Sequence, residues 1–138
     1  MLRISKLADY AIIVMSYMGA QTLTSFSALQ LATANHIALP TVRKLLKLLL
    51  KAELLSSNRG ASGGYCLTRA AVMITLMDVI EAVDGNFALT ECNDPIKQCA
   101  KGKCCHVKTN WQVINGAIKK ILASINIAQM QSKLTIKS

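Results

Sequence analysis

Aromatic residues, proline and histidine are scarce in this sequence. Of its 138 residues, 4% are aromatic, two are proline and two are histidine. A core with so few rings must consist of aliphatic side chains and methionine, and a hydrophobic share of 52% is enough for one and too much for a disordered chain. Since there is also no acid–base pair and no nucleophile beside an orienting base, the sequence gives no indication of an enzyme.

Long apolar runs are also missing. The best candidate, Ala11 to Met18, is interrupted by Ser16 and is shorter than the roughly 18 residues of a membrane-spanning helix. No small-residue cleavage site follows this run, so it does not resemble a secretory signal. We therefore expect a cytoplasmic protein with no membrane partner. In that compartment, clustered cysteines are metal ligands or redox groups more often than disulfides.

Acidic residues are few compared with basic ones. Sixteen Lys and Arg against seven Asp and Glu leave a formal net charge of +9. Residues 1–69 carry eight basic and two acidic side chains, whereas residues 70–138 carry eight basic and five acidic ones. A small domain with such a basic excess usually has an anionic partner, nucleic acid or a lipid surface. The first half of the chain is the stronger candidate for the anion-binding surface.

The spacing of apolar residues in that half predicts three helices followed by a hairpin. The first predicted helix follows Ser5 and ends near Gly19. The second spans residues 28–35, and the third spans 41–52 with Pro40 at its first turn. Residues 54–68 are predicted to form a strand, a glycine-rich loop and a second strand. Two short helices separated by a tight turn and followed by such a hairpin form a winged helix-turn-helix.

A winged helix-turn-helix binds double-stranded DNA by placing its second short helix in the major groove. Arg43 is a candidate for guanine O6 and N7, and Arg59 at the hairpin tip is a candidate for the adjacent minor groove. The alternative is that the basic side of this helix is only a solvated face. The candidate DNA-binding residues are Thr41, Arg43 and Lys44 at the bases, Lys47 and Lys51 at phosphates, and Arg59.

Four of the five cysteines crowd into residues 86–107, a segment without helical or strand periodicity. We call residues 86–107 the cysteine segment; it contains Cys92, Cys99, Cys104, Cys105 and the adjacent His106. Thiolates bind zinc or iron–sulfur clusters. The gaps are wider than the paired knuckles of structural zinc sites, which favours an iron–sulfur cluster, while zinc and thiol redox chemistry stay open. The fifth cysteine, Cys66, is predicted to be a packing residue of the wing.

The remaining sequence predicts a helix over Thr75–Val83 and a long apolar helix from Thr109 to about Gln129, which indicates burial against a second copy of the chain. The predicted fold class is mainly α with a small β-hairpin wing: a winged helix-turn-helix plus a long C-terminal dimerisation helix. The predicted parts of this single integrated domain are a DNA-binding region at 1–85, a cluster-binding loop at 86–107, the dimerisation helix at 108–131 and a tail at 132–138.

Three parts of the sequence are distinctive together: the opening MLRISKLADYA at residues 1–11, the wing motif R-G-x-x-G-G-Y at residues 59–65, and three spaced cysteines before Trp111. In these parts the chain resembles the IscR/NsrR family of bacterial winged-helix regulators. The resemblance implies a homodimer on a palindromic operator, with an iron–sulfur cluster near the long helix and the partner's first helix. The opening is most similar to regulators of the SUF cluster-assembly operon, which implies a repressor of cluster assembly genes.

The resemblance also implies which residues hold the cluster. Cys92 and Cys99 match the family's first two ligands, and Cys105 is the third because it lies six residues before the tryptophan, with Cys104 as its alternative. The possible further ligands are Cys104, His106 and Asp9 of the partner subunit. The cluster is expected to be 2Fe–2S rather than 4Fe–4S.

Other functions stay open at this point. A nitric-oxide-sensing or redox-sensing regulator of the same family, and a zinc or thiol-based regulator, would use the same cysteines. In another functional class, a small iron–sulfur electron carrier would need the cluster and no operator.

Overall fold

The structure, a computed structural model, describes residues 4–60, 63–88 and 107–134. Along these residues lie helices α1 (Lys6–Ala20), α2 (Ala28–Asn35), α3 (Leu39–Lys51), α4 (Leu76–Asp84) and α5 (Lys108–Ser124), and strands β1 (Leu55–Asn58) and β2 (Gly64–Leu67). Single turns of 3-10 helix lie at Ala71–Met73 and Gln129–Gln131. The predicted fold class, mainly α with a β-hairpin wing, is confirmed. No helix in the described ranges has the length and apolar content that a membrane span requires.

Side-chain caps determine where three of the helices begin. The Ser5 hydroxyl accepts a 3.0 Å hydrogen bond from a backbone N–H in the first turn of α1. Ser27 and Gln30 form a reciprocal capping box at α2, with distances of 2.8 and 3.1 Å. Thr75 and Asp78 do the same at α4, at 2.9 and 3.1 Å. These bonds satisfy N–H groups that the helix itself leaves without a partner.

A tight turn at residues 36–38 joins α2 to α3 and completes the helix-turn-helix. His36 ends α2 in the left-handed conformation, with φ of 54°, and its N–H donates back to carbonyls of the last turn. Pro40 lies in the first turn of α3, where a missing N–H costs nothing. His36 is thus the residue at which α2 stops.

The core is centred on α3. Four of its side chains have no solvent exposure: Val42, Leu45, Leu46 and Leu49. They pack with apolar residues of α1 and α4, among which Val14, Met15 and Val79 are also fully buried. Each such aliphatic side chain contributes about 1.5–3 kcal/mol relative to full exposure. We call these four side chains the buried stripe of α3; Leu50, which the apolar spacing also predicts to be buried, is half-buried.

The wing hairpin pairs with one further residue, Phe26, which the sequence did not reveal. On one side Tyr65 pairs with Ser57 of β1, and on the other side it pairs with Phe26. The N–H of Phe26 donates to Tyr65 at 2.9 Å, and the N–H of Tyr65 donates to Phe26 at 2.7 Å. The Phe26 ring is buried and meets Tyr17 edge-on. The sequence places Phe26 in a linker because a single paired residue produces no periodicity.

The helix predicted to continue to residue 129 or 131 ends earlier, at Ser124. Residues beyond it run extended along the segment before α4, where the N–H of Leu76 donates to Ile125 and the N–H of Ile127 donates to Ile74, both at 2.9 Å. Ile127 is fully buried in the core. Pairing with another segment therefore overrides the helical spacing of these isoleucines, as tertiary contacts often do.

Two glycines of the wing motif are required by close backbone approach. A Cβ on Gly63 would lie 2.4 Å from the carbonyl oxygen of Asn58, and one on Gly64 would lie 2.5 Å from that of Phe26. Gly64 also has φ of +151°, which side-chain-bearing residues rarely adopt. The glycine pair therefore allows β2 to lie between β1 and Phe26.

We expect Gly64→Ala to lower the free energy of unfolding by about 2 kcal/mol or more, because the new methyl group meets the Phe26 carbonyl in a strained conformation. Gly60→Ala is the matched control: its φ is +111°, but nothing lies within 4 Å of the added carbon. Its expected cost is about 1 kcal/mol. Thermal unfolding followed by circular dichroism measures both, and equal losses would show that the contact with Phe26 has no effect.

Candidate nucleic-acid interface

The basic residues of α3 form one exposed face opposite its buried stripe. We call Arg43, Lys44, Lys47 and Lys51 the basic face of α3, and all four are exposed. In the described part of the chain the ion pairs join Arg69 to Asp78 and Lys119 to Glu81, so they involve none of these four. Thr41 is half-buried in the first turn. Uncompensated cations along an exposed helix face are suited to a polyanion.

The wing carries a further exposed basic residue. Arg59 is exposed and directly follows β1, whose last residue, Asn58, pairs with Gly64. Arg59 therefore lies at the hairpin tip, where the sequence predicts it. We call the basic face of α3 together with Arg59 the α3–wing surface.

The end of α3 fixes the wing relative to that helix. Glu53 follows α3 with φ of 62°, and the N–H of Leu54 donates to Leu49 at 3.1 Å, which closes the helix with a left-handed cap. The hydroxyl of Thr68, just after β2, then donates to the carbonyls of Glu53 and Leu54, at 2.7 and 3.1 Å. The sequence does not predict this contact between the end of α3 and the wing, because neither Glu53 nor Thr68 is a residue type that signals a turn.

The predicted cluster ligands divide between described and undescribed residues. Cys92, Cys99, Cys104, Cys105 and His106 lie outside the described residues. Among the residues that are described, no group of three or more His, Cys, Asp or Glu could hold a metal ion. Cys66, predicted to be a packing residue, is half-buried on β2 with its Sγ 2.9 Å from the Ser56 hydroxyl.

Asp9, the proposed ligand from a partner subunit, is exposed on α1. It lies at the edge of an open groove of about 770 Å³ between α1, α4 and α5. The groove has a polar edge of Ser5, Lys6 and Asp9, and an apolar floor that includes Ile12, Ile80 and Leu122. The ammonium of Lys6 lies 5.8 Å from the ring centre of Tyr10, so it forms a cation–π contact rather than an ion pair with Asp9.

The model of the Rrf2 family, described as an iron-dependent transcriptional regulator, matches residues 4–133. The chain belongs to the Rrf2 family. Two relatives named HTH-type transcriptional regulator IscR are similar in sequence. The protein from Xenorhabdus nematophila is 34% identical over 94 residues, or 68% of this chain and 57% of the relative. The one from Sodalis glossinidius is 31% identical over 103 residues, 75% of this chain and 62% of the relative. The aligned part is thus less than two thirds of either relative.

Solved structures of two regulators share the fold of this Rrf2 protein. IscR of T. potens superposes with a TM-score of 0.73 at 25% identity, covering 94% of this chain and 86% of that one. CymR, the global cysteine regulator of B. subtilis, superposes with a TM-score of 0.72 at 27% identity, covering 94% and 96%. The protein is a winged-helix DNA-binding transcriptional regulator, and members of this family are not enzymes.

We expect substitutions on the α3–wing surface to separate base reading from phosphate binding. Arg43→Ala should weaken binding to the preferred duplex by about tenfold and relax the preference at one base-pair position. Lys47→Ala should weaken binding to all sequences alike. It should also make the slope of log affinity against log salt less negative, by about one for each Lys47 side chain lost from the complex. Fluorescence anisotropy with a selected duplex and a scrambled duplex, at several salt concentrations, measures both effects.

Lys120→Ala is the matched control for these substitutions, because Lys120 is an exposed lysine on α5 and lies outside the α3–wing surface. About six phosphate contacts in the complex would give the unchanged protein a slope of about −5. A slope near zero, or an equal effect of Lys120→Ala and Lys47→Ala, would contradict the proposed DNA-binding surface.

Proposed function

We propose that this Rrf2 protein is a cytoplasmic iron–sulfur-cluster-sensing repressor of cluster assembly genes, such as the SUF operon, and binds a palindromic operator as a homodimer. The observation that carries the proposal is the position of the cysteine segment between α4 and α5. Helix α4 packs on α3, which is the recognition helix of the helix-turn-helix. The three spaced thiols of the cysteine segment, Cys92, Cys99 and Cys105, belong to a chain whose family is described as iron-dependent.

The donor set fits an iron–sulfur cluster. Thiolates are the usual ligands of such clusters, and a nitrogen or oxygen donor can replace a thiolate at one position. Asp9 is exposed and lies outside the ion pairs of the described residues, so its carboxylate is accessible to a cluster held by a partner subunit. Cys104 and His106 are the other candidates for this position. When bound, a 2Fe–2S cluster would supply a redox-active and chemically labile iron centre.

The outer side of α5 supports the homodimer. Trp111, Ile114 and Ile121 recur at helical spacing and are 36, 43 and 46% exposed, and Val113 beside them is 67% exposed. Of the described chain, α5 packs mainly against α4. Apolar side chains left in water along one helix face mark an interface. A second copy packed there would set the distance between the two recognition helices, which must match half-sites about 34 Å or a multiple apart.

The packing of α4 supports coupling between the cysteine segment and the DNA-binding helix α3. α4 packs against both α3 and α5, and the cysteine segment connects α4 to α5 along the chain. A change in that segment therefore acts on the helix that supports α3 and on the proposed dimer helix. A coupling of about 1–3 kcal/mol between the two sites is sufficient for a regulatory switch.

A regulator that senses through cysteine thiols without iron is the second candidate. The observation in its favour is the similarity to CymR, the global cysteine regulator of B. subtilis, at 27% identity and a TM-score of 0.72. The same cysteines would then act as free or oxidised thiols, and the purified protein would be colourless.

We expect anaerobically purified protein to be coloured and to contain iron and sulfide, and Cys92→Ala to lose both, because a cluster lacking a thiolate ligand is not retained. Absorption spectra with iron and sulfide analysis provide the measurement. Cys66→Ala is the matched control, since it removes a thiol of the wing that lies 2.9 Å from Ser56 and leaves the cysteine segment intact. A colourless wild-type protein would favour the thiol candidate, and equal iron in wild type and Cys92→Ala would refute the ligand role of Cys92.

We expect Ile114→Glu to convert the dimer to a monomer and to reduce operator affinity by at least tenfold, because a buried unpaired carboxylate on each side of the interface is costly. Size-exclusion chromatography with light scattering gives the oligomeric state. Val72→Glu is the matched control: Val72 is 61% exposed, but it lies on the 3-10 turn before α4. If Ile114→Glu remains dimeric, the proposed interface is wrong.

A further inference from the structure

The last residue of α4 is an acid, which is unfavourable for that helix. The unpaired carbonyls at a helix C-terminus carry partial negative charge, and α4 has no basic residue in its last turn. Nor is Asp84 part of an ion pair in the described residues, where such pairs join Arg69 to Asp78 and Lys119 to Glu81. A residue that violates a local rule in this way often serves a contact elsewhere.

That contact is with the start of α1. The backbone N–H of Ser5 donates to Oδ2 of Asp84 at 3.1 Å, and the Ser5 hydroxyl donates to Oδ1. The same hydroxyl accepts from the N–H of Ala8 at 3.0 Å. The carboxylate thus lies at the positive end of α1, where a negative charge is favourable. We call this pair of bonds, which joins residues 79 positions apart, the Ser5–Asp84 clasp.

The clasp lies between the two parts of the proposed sensor. On one side, Gly85 leaves α4 with φ of 81°, and the cysteine segment begins at the next residue. On the other side, α1 packs against α3, and its Val14 and Met15 are fully buried in the same core as the stripe of α3. Asp9, one turn after Ser5, lines the same groove as Ser5.

We infer that Asp84 is a positioning residue that couples the state of the cysteine segment to α1 and, through the shared core, to the recognition helix α3. With the clasp formed, the end of α4 and the start of α1 shift together. Without it, the end of α4 can move while α1 and α3 keep their places. This inference rests on the proposed function, because it requires forms of the protein with and without a cluster.

The test measures the ratio of operator dissociation constants for the cluster-free and cluster-loaded full-length protein. The probe is the duplex that the wild type selects from a random library, at fixed salt. The wild-type ratio is expected to differ from one by at least about fivefold. Asp84→Ala should bring it to within about twofold of one while the cluster absorbance per protomer is unchanged. Ser5→Ala should move the ratio in the same direction, and the double variant should bring the ratio no closer to one than Asp84→Ala does, because both changes remove the hydrogen bond between the Ser5 hydroxyl and Asp84.

Glu81→Gln is the matched control, since it removes another carboxylate of α4, the one that pairs with Lys119 at 3.9 Å, and leaves the clasp intact. Its ratio should equal that of the wild type. If Asp84→Ala does not fold, Asp84→Asn carries the test, because it weakens the clasp and leaves the Ser5 cap of α1 in place.

Three results would overturn the inference. A lower melting temperature with an unchanged ratio would mean that the clasp is only a helix cap. Loss of cluster absorbance in Asp84→Ala would mean that Asp84 acts in cluster retention. A wild-type ratio of one, or a wild-type protein without a cluster, would refute the proposed function together with the inference. This outcome is distinguishable from the other two because it is measured on the wild-type protein without any variant.

Discussion

The burial of one side of α3 is the constraint on which the rest of the molecule depends. Four aliphatic side chains of this helix have no contact with solvent. A helix held in this way cannot rotate about its own axis, so its basic residues must face outward. The caps of α1, α2 and α4 determine where those helices begin, and the left-handed closure at Glu53 determines where α3 ends and the wing starts. They arrange the supporting elements around a helix whose orientation the core has already set.

Much of this fold could be predicted from the sequence, because its helices carry strong local signals. Apolar spacing identified α1, α2, α3 and α4, although the predicted α4 included Thr75, which the structure places at its N-cap. The failures all involve non-local pairing. Phe26 joins the wing through one residue, and the chain after Ser124 leaves the helical path to pair with residues before α4. Neither contact produces a periodic pattern, so neither could be predicted from a single sequence.

The candidate site was predictable to different extents in its two halves. The basic residues of α3 and Arg59 could be named in advance because they are what remains exposed when the stripe is buried and the hairpin closed. The sensor half is harder, because its proposed ligands come from a segment without periodicity and from a partner subunit. The carboxylate of Asp9 follows from the family resemblance alone. The role of Asp84 became visible only in three dimensions, since its hydrogen-bond partner is 79 positions away.

The pairing of residues 125–127 with the segment before α4 bears on how this architecture can be divided. Ile127 comes after α5 in the chain but belongs to the core beneath the recognition helix. Removing everything after Asp84 would leave an empty space of isoleucine size in that core, a defect worth about 2–5 kcal/mol, and would leave backbone groups of Ile74 and Leu76 without partners. The winged helix is therefore not a module that can be transplanted alone into a chimera. The residues that complete its core lie on the far side of the helix proposed to recruit a second copy.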